Sequence, residues 1–176
     1  MPDARGVPSP WIVQWAGLIG SGATVLDVAG GGGRHSRFLA NLGLKVTALD
    51  RDISALAGHP DVEAIEADLE NGSPWPLPGR TFGAVVVTNY LHRPLFPALL
   101  DALAPGGILL YETFMEGNER FGRPSRPEFL LKDGELLEWV RGRLSVTAYE
   151  ARMISEPRMA MVQRIAARRL LSSRAG

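Results

Sequence analysis

Five short apolar runs, TVLDVA, KVTALD, VEAIEA, AVVVT and ILLYETF, recur between Thr24 and Phe114. Helix-spaced or turn-rich stretches separate them. Runs this rich in Val, Ile and Leu suit strands buried on both faces, and such strands are joined in parallel by crossovers. The pattern predicts strands over 24–29, 45–50, 62–67, 84–88 and 108–114, with helices over 34–41 and about 95–103. Asp52 is placed to cap a short helix through Ala57. A proline- and glycine-rich connection, NGSPWPLPGRTFG, precedes the fourth run, and Gly106-Gly107 turns the chain into the fifth.

The two ends read differently. Near the N-terminus, Ser9 can cap a helix, Pro10 suits its first position, and Trp11, Ile12, Trp15, Leu18 and Ile19 give it one apolar face, with Gly20 and Gly22 ending it. After the fifth strand, 115–127 has loop chemistry and LLKDGELLEWV predicts a helix over 130–140. LSVTAYEARM and RMAMVQRIAAR, parted by ISEP, predict an antiparallel hairpin, and the tail RRLLSSRAG a frayed end.

Between the first strand and the first helix stand four consecutive glycines, in VLDVAGGGGRHSRFLA. Each loses the most backbone entropy on folding, so a run of them signals a close approach to the backbone. A phosphate-binding P-loop needs a lysine and a Ser or Thr after its last glycine, and Gly33 is followed by Arg34-His35-Ser36. A dinucleotide fingerprint needs a third glycine where Ser36 stands, although Asp50 has the position of its ribose-binding acid.

This stretch resembles the first motif of the class I S-adenosylmethionine-dependent methyltransferases: an apolar strand, an acid, then G-x-G-x-G. Asp27 aligns with the acid and Ala29, Gly31 and Gly33 with the glycine positions, Ala29 being a small departure. Gly30 takes a place often held by cysteine or another small residue. The resemblance implies that Asp50, with Arg51 after it, binds the ribose hydroxyls, and that Asp68 receives the adenine amino group with Leu69 beside the ring. It sets Asn89-Tyr90-Leu91 where the methionine portion meets the acceptor. Asp27 either supports the cofactor's amino-acid end through the loop or organises the loop's own amides. NYLHRPLFPAL, LAPGGILLYETF and FGRPSRPEFLLKDGELLE are further similar to small bacterial methyltransferases of the tellurite-resistance-like branch.

What the resemblance implies is a Rossmann-like α/β three-layer sandwich. Its sheet has seven strands, mostly parallel, with a C-terminal antiparallel β-hairpin. One domain spans 1–176: an N-terminal helix over 1–22, a cofactor-binding half over 23–112, and a substrate-side loop, helix and hairpin over 113–176. The cofactor is S-adenosyl-L-methionine, the product S-adenosyl-L-homocysteine, and the chemistry an in-line methyl transfer to a small molecule.

Candidate catalytic groups are His92 and Asn89, the histidine as a proton acceptor or simply a helix-start residue. Glu112 and Thr113, at the carboxyl edge of the fifth strand, are candidate substrate contacts, as are Arg120 and Arg123 in the loop beyond. His35 lies on the apolar helix face and reads as structural. The three histidines lack metal-ligand spacing, and there is no cysteine, so no metal, disulfide or thiol nucleophile is expected. Nineteen basic residues balance nineteen acidic ones, which argues against a global footprint for nucleic acid or anionic membrane. No apolar run approaches bilayer length and no signal-peptide pattern opens the chain, which fits a cytoplasmic monomer or homodimer. Two rivals remain at this level. One is an RNA or protein methyltransferase acting through Arg120, Arg123 and Arg126; the other is a non-catalytic cofactor-binding module.

Overall fold

The computed structural model describes residues 6–171. Its seven strands form one sheet in the order β3-β2-β1-β4-β5-β7-β6. These are β1 Thr24–Val28, β2 Lys45–Asp50, β3 Val62–Glu66, β4 Phe82–Thr88, β5 Leu103–Phe114, β6 Leu144–Ile154 and β7 Ala160–Arg169. The first five run parallel, and β7 enters antiparallel between β5 and β6.

Period-two alternation along the central strands sends side chains to two apolar layers. Leu26, Val28, Val85, Val87, Leu109 and Tyr111 pack with Phe96 and Leu99 of α3 (Phe96–Asp101) and Leu136 and Val140 of α4 (Glu135–Val140). On the other face Val25, Val46, Val86, Ile108 and Leu110 pack with Trp11 and Ile12 of α1 (Pro10–Trp15) and Leu39 of α2 (Arg34–Asn41). The sandwich is therefore three-layered. Val85, Val86 and Val87 have no exposed surface, and each such burial contributes about 1.5–3 kcal/mol. As the sequence suggests, Ser9 caps α1, its hydroxyl accepting from Trp11 N–H at 3.2 Å.

Several elements are shorter than the sequence predicts. The helix expected to reach residue 103 stops at Asp101, because Leu103 already pairs with Phe82 in the sheet and Phe82 N–H donates to the Ala102 carbonyl at 2.7 Å. The helix expected over 130–140 begins at Glu135. Leu131 instead bridges to Met115 in extended form, and Gly134, in left-handed backbone, starts the helix. Between Asp52 and Ala57 there is one 3-10 turn, Ser54–Leu56, and Asp52 accepts from Ser54 N–H at 3.0 Å just ahead of it. At the C-terminus Arg168 and Arg169 belong to β7 and their side chains donate to the carbonyls of Gly106 and Leu103. The rest of the expected fraying, 172–176, lies outside the described residues, as do 1–5 of the expected N-terminal segment.

Candidate active site

The parallel strands end together at one edge of the sheet, and the connections after β1, β2, β3 and β4 meet there, as binding crevices of open α/β sheets do. The glycine loop after β1 is fixed by the protein before any ligand is considered. Ala29 and Gly31 are left-handed, with φ of 54° each. A side chain on Gly30 would come within 2.9 Å of the Asp27 carboxylate, and one on Gly33 within 2.5 Å of Leu56. An added Cβ on Gly31 meets nothing within 4 Å. Gly30 and Gly33 therefore make room for protein atoms, whereas Gly31, like Gly32, leaves open space.

Asp27 is completely buried under this loop. Ser36 donates to its Oδ2 at 2.6 Å, and Oδ1 has no partner. Burial pushes its carboxyl up to about 6, against the opposing pull of the Ser36 hydroxyl. Its carboxylate thus bonds to Ser36 of α2 and lies against Gly30 of the loop. His35, the second residue of α2, is held equally firmly: Ser9 N–H donates to Nε2 at 3.0 Å, and Nδ1 lies 3.2 Å from the Thr88 hydroxyl. Burial lowers its pKa to about 3, so it is a neutral structural histidine.

Asp50 joins β2 to the loop. Its Oδ2 accepts Gly31 N–H at 2.9 Å and its Oδ1 accepts Asp52 N–H at 2.9 Å. It lines a cavity of 490 Å³ together with Arg51 and Ala29. Asp68 and Leu69 line it from the turn after β3, Asn89 and Tyr90 from the end of β4, and Thr113 from the end of β5. Asp68 accepts Glu70 N–H at 2.9 Å, a local bond that sets its turn. Asn89 is left-handed at φ 53° and its N–H donates to the Glu112 carbonyl at 2.8 Å. The Tyr90 phenol is raised above its ordinary range by burial, with Glu70 and Asp68 beside it, and stays neutral.

A second cavity, of 390 Å³, adjoins the first, and Asn89 and Phe114 line both. Glu112 lies in its wall, 9% exposed at the side chain, 2.5 Å from Arg164 Nε and accepting the Ser9 hydroxyl at 2.7 Å. Arg164 also reaches Glu150 at 3.2 Å.

The remaining candidates fall elsewhere. Asp27, Gly30, Gly31 and Gly33 are beneath or beside the first cavity rather than among its lining residues. His92 lines neither cavity; its Nδ1 lies 3.6 Å from Glu70, and it precedes the 3-10 turn Arg93–Leu95. Arg120, Arg123 and Arg126 also line neither. Arg120 donates to the Gly117 carbonyl and Arg126 pairs with Glu128 at 2.6 Å. Their loop is anchored by Asn118, whose side chain donates to the Pro124 carbonyl at 2.9 Å and accepts Met161 N–H at 3.1 Å.

Glu70, Pro124 and Phe129 line the first cavity and Ser9, Arg34, Arg158 and Arg164 the second, without having been singled out as site residues from sequence. Phe129 is carried there by Arg93, which clamps Glu135 at 2.6 and 3.0 Å and donates to the carbonyls of Glu128 and Leu130. These contacts span 35 to 42 residues, and no local motif encodes them.

No protein-family model matches the chain and no curated protein matches it in sequence. Solved structures match it in fold. TehB from Haemophilus influenzae superposes at a TM-score of 0.76 and 19% identity over 92% of this chain; the match covers 62% of TehB. The 1,6-didemethyltoxoflavin-N1-methyltransferase of Burkholderia thailandensis, solved with 1,6-didemethyltoxoflavin and S-adenosylhomocysteine bound, superposes at 0.70 with 18% identity, over 95% of this chain and 78% of that one. A SAM-dependent methyltransferase from Methanosarcina mazei matches at 0.71 with 16% identity, over 94% and 99% of the two chains. The architecture is the class I methyltransferase fold expected from the sequence, with its antiparallel last strand inserted beside β5.

Proposed function

We propose that the protein is an S-adenosylmethionine-dependent methyltransferase acting on a small-molecule acceptor. The observation that carries this reading is the first cavity, where Asp50, Asp68 and Glu70 face a single arginine, Arg51. Three carboxylates against one guanidinium suit a cationic, phosphate-free ligand and oppose the polyphosphate of a nucleotide or dinucleotide. Asp50 suits a ribose diol, since a carboxylate accepts two hydrogen bonds at once. Ala67, Leu69 and Leu91 give the apolar surface a purine needs beside Asp68. The donor set and cavity volume fit the cofactor.

When bound, the cofactor supplies an activated methyl group on a sulfonium. The chain's own part is to hold the reactants in line and exclude water, which accounts for several kcal/mol of barrier, on the order of the effective-molarity range. Asn89, at the junction of the two cavities, is the polar side chain best placed to orient an acceptor. Its left-handed backbone is held by the bond to Glu112 and presents residue 89 at the end of β4.

The 390 Å³ second cavity supports a small acceptor, since pockets of this size hold drug-sized molecules and not a folded macromolecule. The small-molecule complex of the Burkholderia protein supports the same reading. The engagement of Arg120 and Arg126 with groups of their own loop weighs against an RNA or protein substrate drawn in by those arginines. Incubating the protein with labelled S-adenosylmethionine and a cell extract, followed by mass spectrometry, is expected to yield a methylated metabolite. Label appearing only in RNA or protein would overturn the choice of acceptor, and salt-sensitive RNA binding would point the same way.

A further inference from the structure

The second cavity carries information about what it accepts. Its walls are mostly apolar, with Pro8, Pro157 and Val162 around Phe114. Among the described residues its charged members are three arginines, Arg34, Arg158 and Arg164, and two glutamates, Glu112 and Glu156. Arg164 is spent on Glu112 and Glu150. Arg158 is not: its Nη2 donates to the Arg123 carbonyl at 2.7 Å, its guanidinium stacks 5.4 Å from the centre of the Phe114 ring, and it meets no carboxylate among the described residues. Phe114 is itself one of the two residues at the junction with the cofactor cavity. A guanidinium without a carboxylate partner therefore stacks on an aromatic ring that borders the point of transfer.

Among the described residues, the two that line both cavities, Asn89 and Phe114, offer no proton acceptor. Asn89 and Phe114 do not titrate in water. Glu112 already accepts from Ser9 and faces Arg164. Both ring nitrogens of His35 are engaged, and His92 lines neither cavity. Glu156, the second cavity's other carboxylate, is exposed and does not line the junction. An alcohol or an ammonium would have to lose a proton with no group at the junction itself to take it. An acceptor that is already ionised in solution has no such need.

We infer that the second cavity binds the methyl acceptor as a small apolar organic anion, a carboxylate or thiolate, with Arg158 attracting and orienting its charge. The inference rests on the methyltransferase reading above. A lone pair of the anionic oxygen or sulfur forms the new bond to the methyl carbon as the carbon–sulfur bond of the sulfonium donor breaks and its electron pair stays on sulfur. The negative charge of the acceptor and the positive charge of the donor cancel, leaving a neutral ester or thioether, a neutral sulfur centre and no proton to remove. The product loses the charge that Arg158 holds, which favours its release.

The test is calorimetric titration of benzoate, phenylacetate and thiophenolate, with benzamide and phenylacetamide as uncharged counterparts, into the protein with and without S-adenosylhomocysteine. Saturable binding of an anion at least tenfold tighter than its amide is expected, as is a loss of about tenfold for the anions alone in Arg158→Ala, with partial recovery in Arg158→Lys. Equal affinity for anions and amides, no binding of any anion, or no effect of Arg158→Ala overturns the inference. Failure of S-adenosylhomocysteine itself to bind overturns the methyltransferase reading instead, and the titrations without it still decide whether the cavity selects anions.

Discussion

Asp50 Oδ2 accepts the N–H of Gly31 at 2.9 Å, so the acid that ends β2 is bonded to the glycine loop that follows β1. Nineteen positions of sequence separate the two, and the hydrogen bond ties the loop to an acid that lines the first cavity. Asp50 thereby orders the loop through one oxygen while it lines the first cavity.

Gly31 gives the cleanest separation of fold from binding. An added Cβ there meets no protein atom within 4 Å, but the residue is left-handed at φ 54°. Gly31→Val is expected to lower the stability by about 1–3 kcal/mol through backbone strain alone, and to abolish S-adenosylmethionine binding because the side chain projects into open space by the loop. Circular dichroism melts and calorimetry read the two effects separately. Retained affinity would mean that no ligand approaches there.

Asp27 links stability to pH. Its folded carboxyl titrates near 6, above the ordinary aspartate value of 3.8, so the folded state holds a proton that the unfolded state releases first. Stability from this group is complete below about pH 4 and is lost as the pH rises through about 6, on the order of 3 kcal/mol in all. Asp27→Asn is expected to stabilise the protein relative to wild type at pH 8 and not at pH 4, read from urea midpoints. An equal effect at both values would contradict it. His35 acts in the opposite sense, since its lowered pKa removes stability as the pH falls below its ordinary 6.5.

Glu112→Ala tests the ion pair under the second cavity. Glu112 and Arg164 are 9% and 11% exposed at their side chains, and removing one partner leaves a buried charge. A loss of about 3 kcal/mol is expected, at the low end because Arg164 keeps Glu150 at 3.2 Å. A thermal midpoint within a degree of wild type would show that the pair is structurally idle.

The sheet was legible in the sequence because each central strand is a β-branched or leucine-rich run whose burial on both faces admits few alternatives. AVVVT is the clearest of these, and its three valines have no exposed surface. Asp50, Asp68 and Asn89 were legible because each ends or follows such a strand, and strand ends share one edge of a parallel sheet. The limits of α3 and α4 were not, because Leu103 and Leu131 have helical spacing in the sequence yet are claimed by partners 21 and 16 residues earlier, Phe82 and Met115. The arginines of the second cavity were not legible for a related reason. Those in the loop 115–127 stand out in the sequence, whereas Arg158 and Arg164 reach the second cavity only because β7 inserts beside β5.

The central claim, that the acidic cavity holds S-adenosylmethionine on Asp50, is tested most directly by isothermal calorimetry of wild type and Asp50→Ala. Saturable binding to wild type is predicted, weakened more than about tenfold in the variant through the loss of charge-assisted hydrogen bonds. No binding to wild type, or an unchanged affinity in Asp50→Ala, would contradict the account.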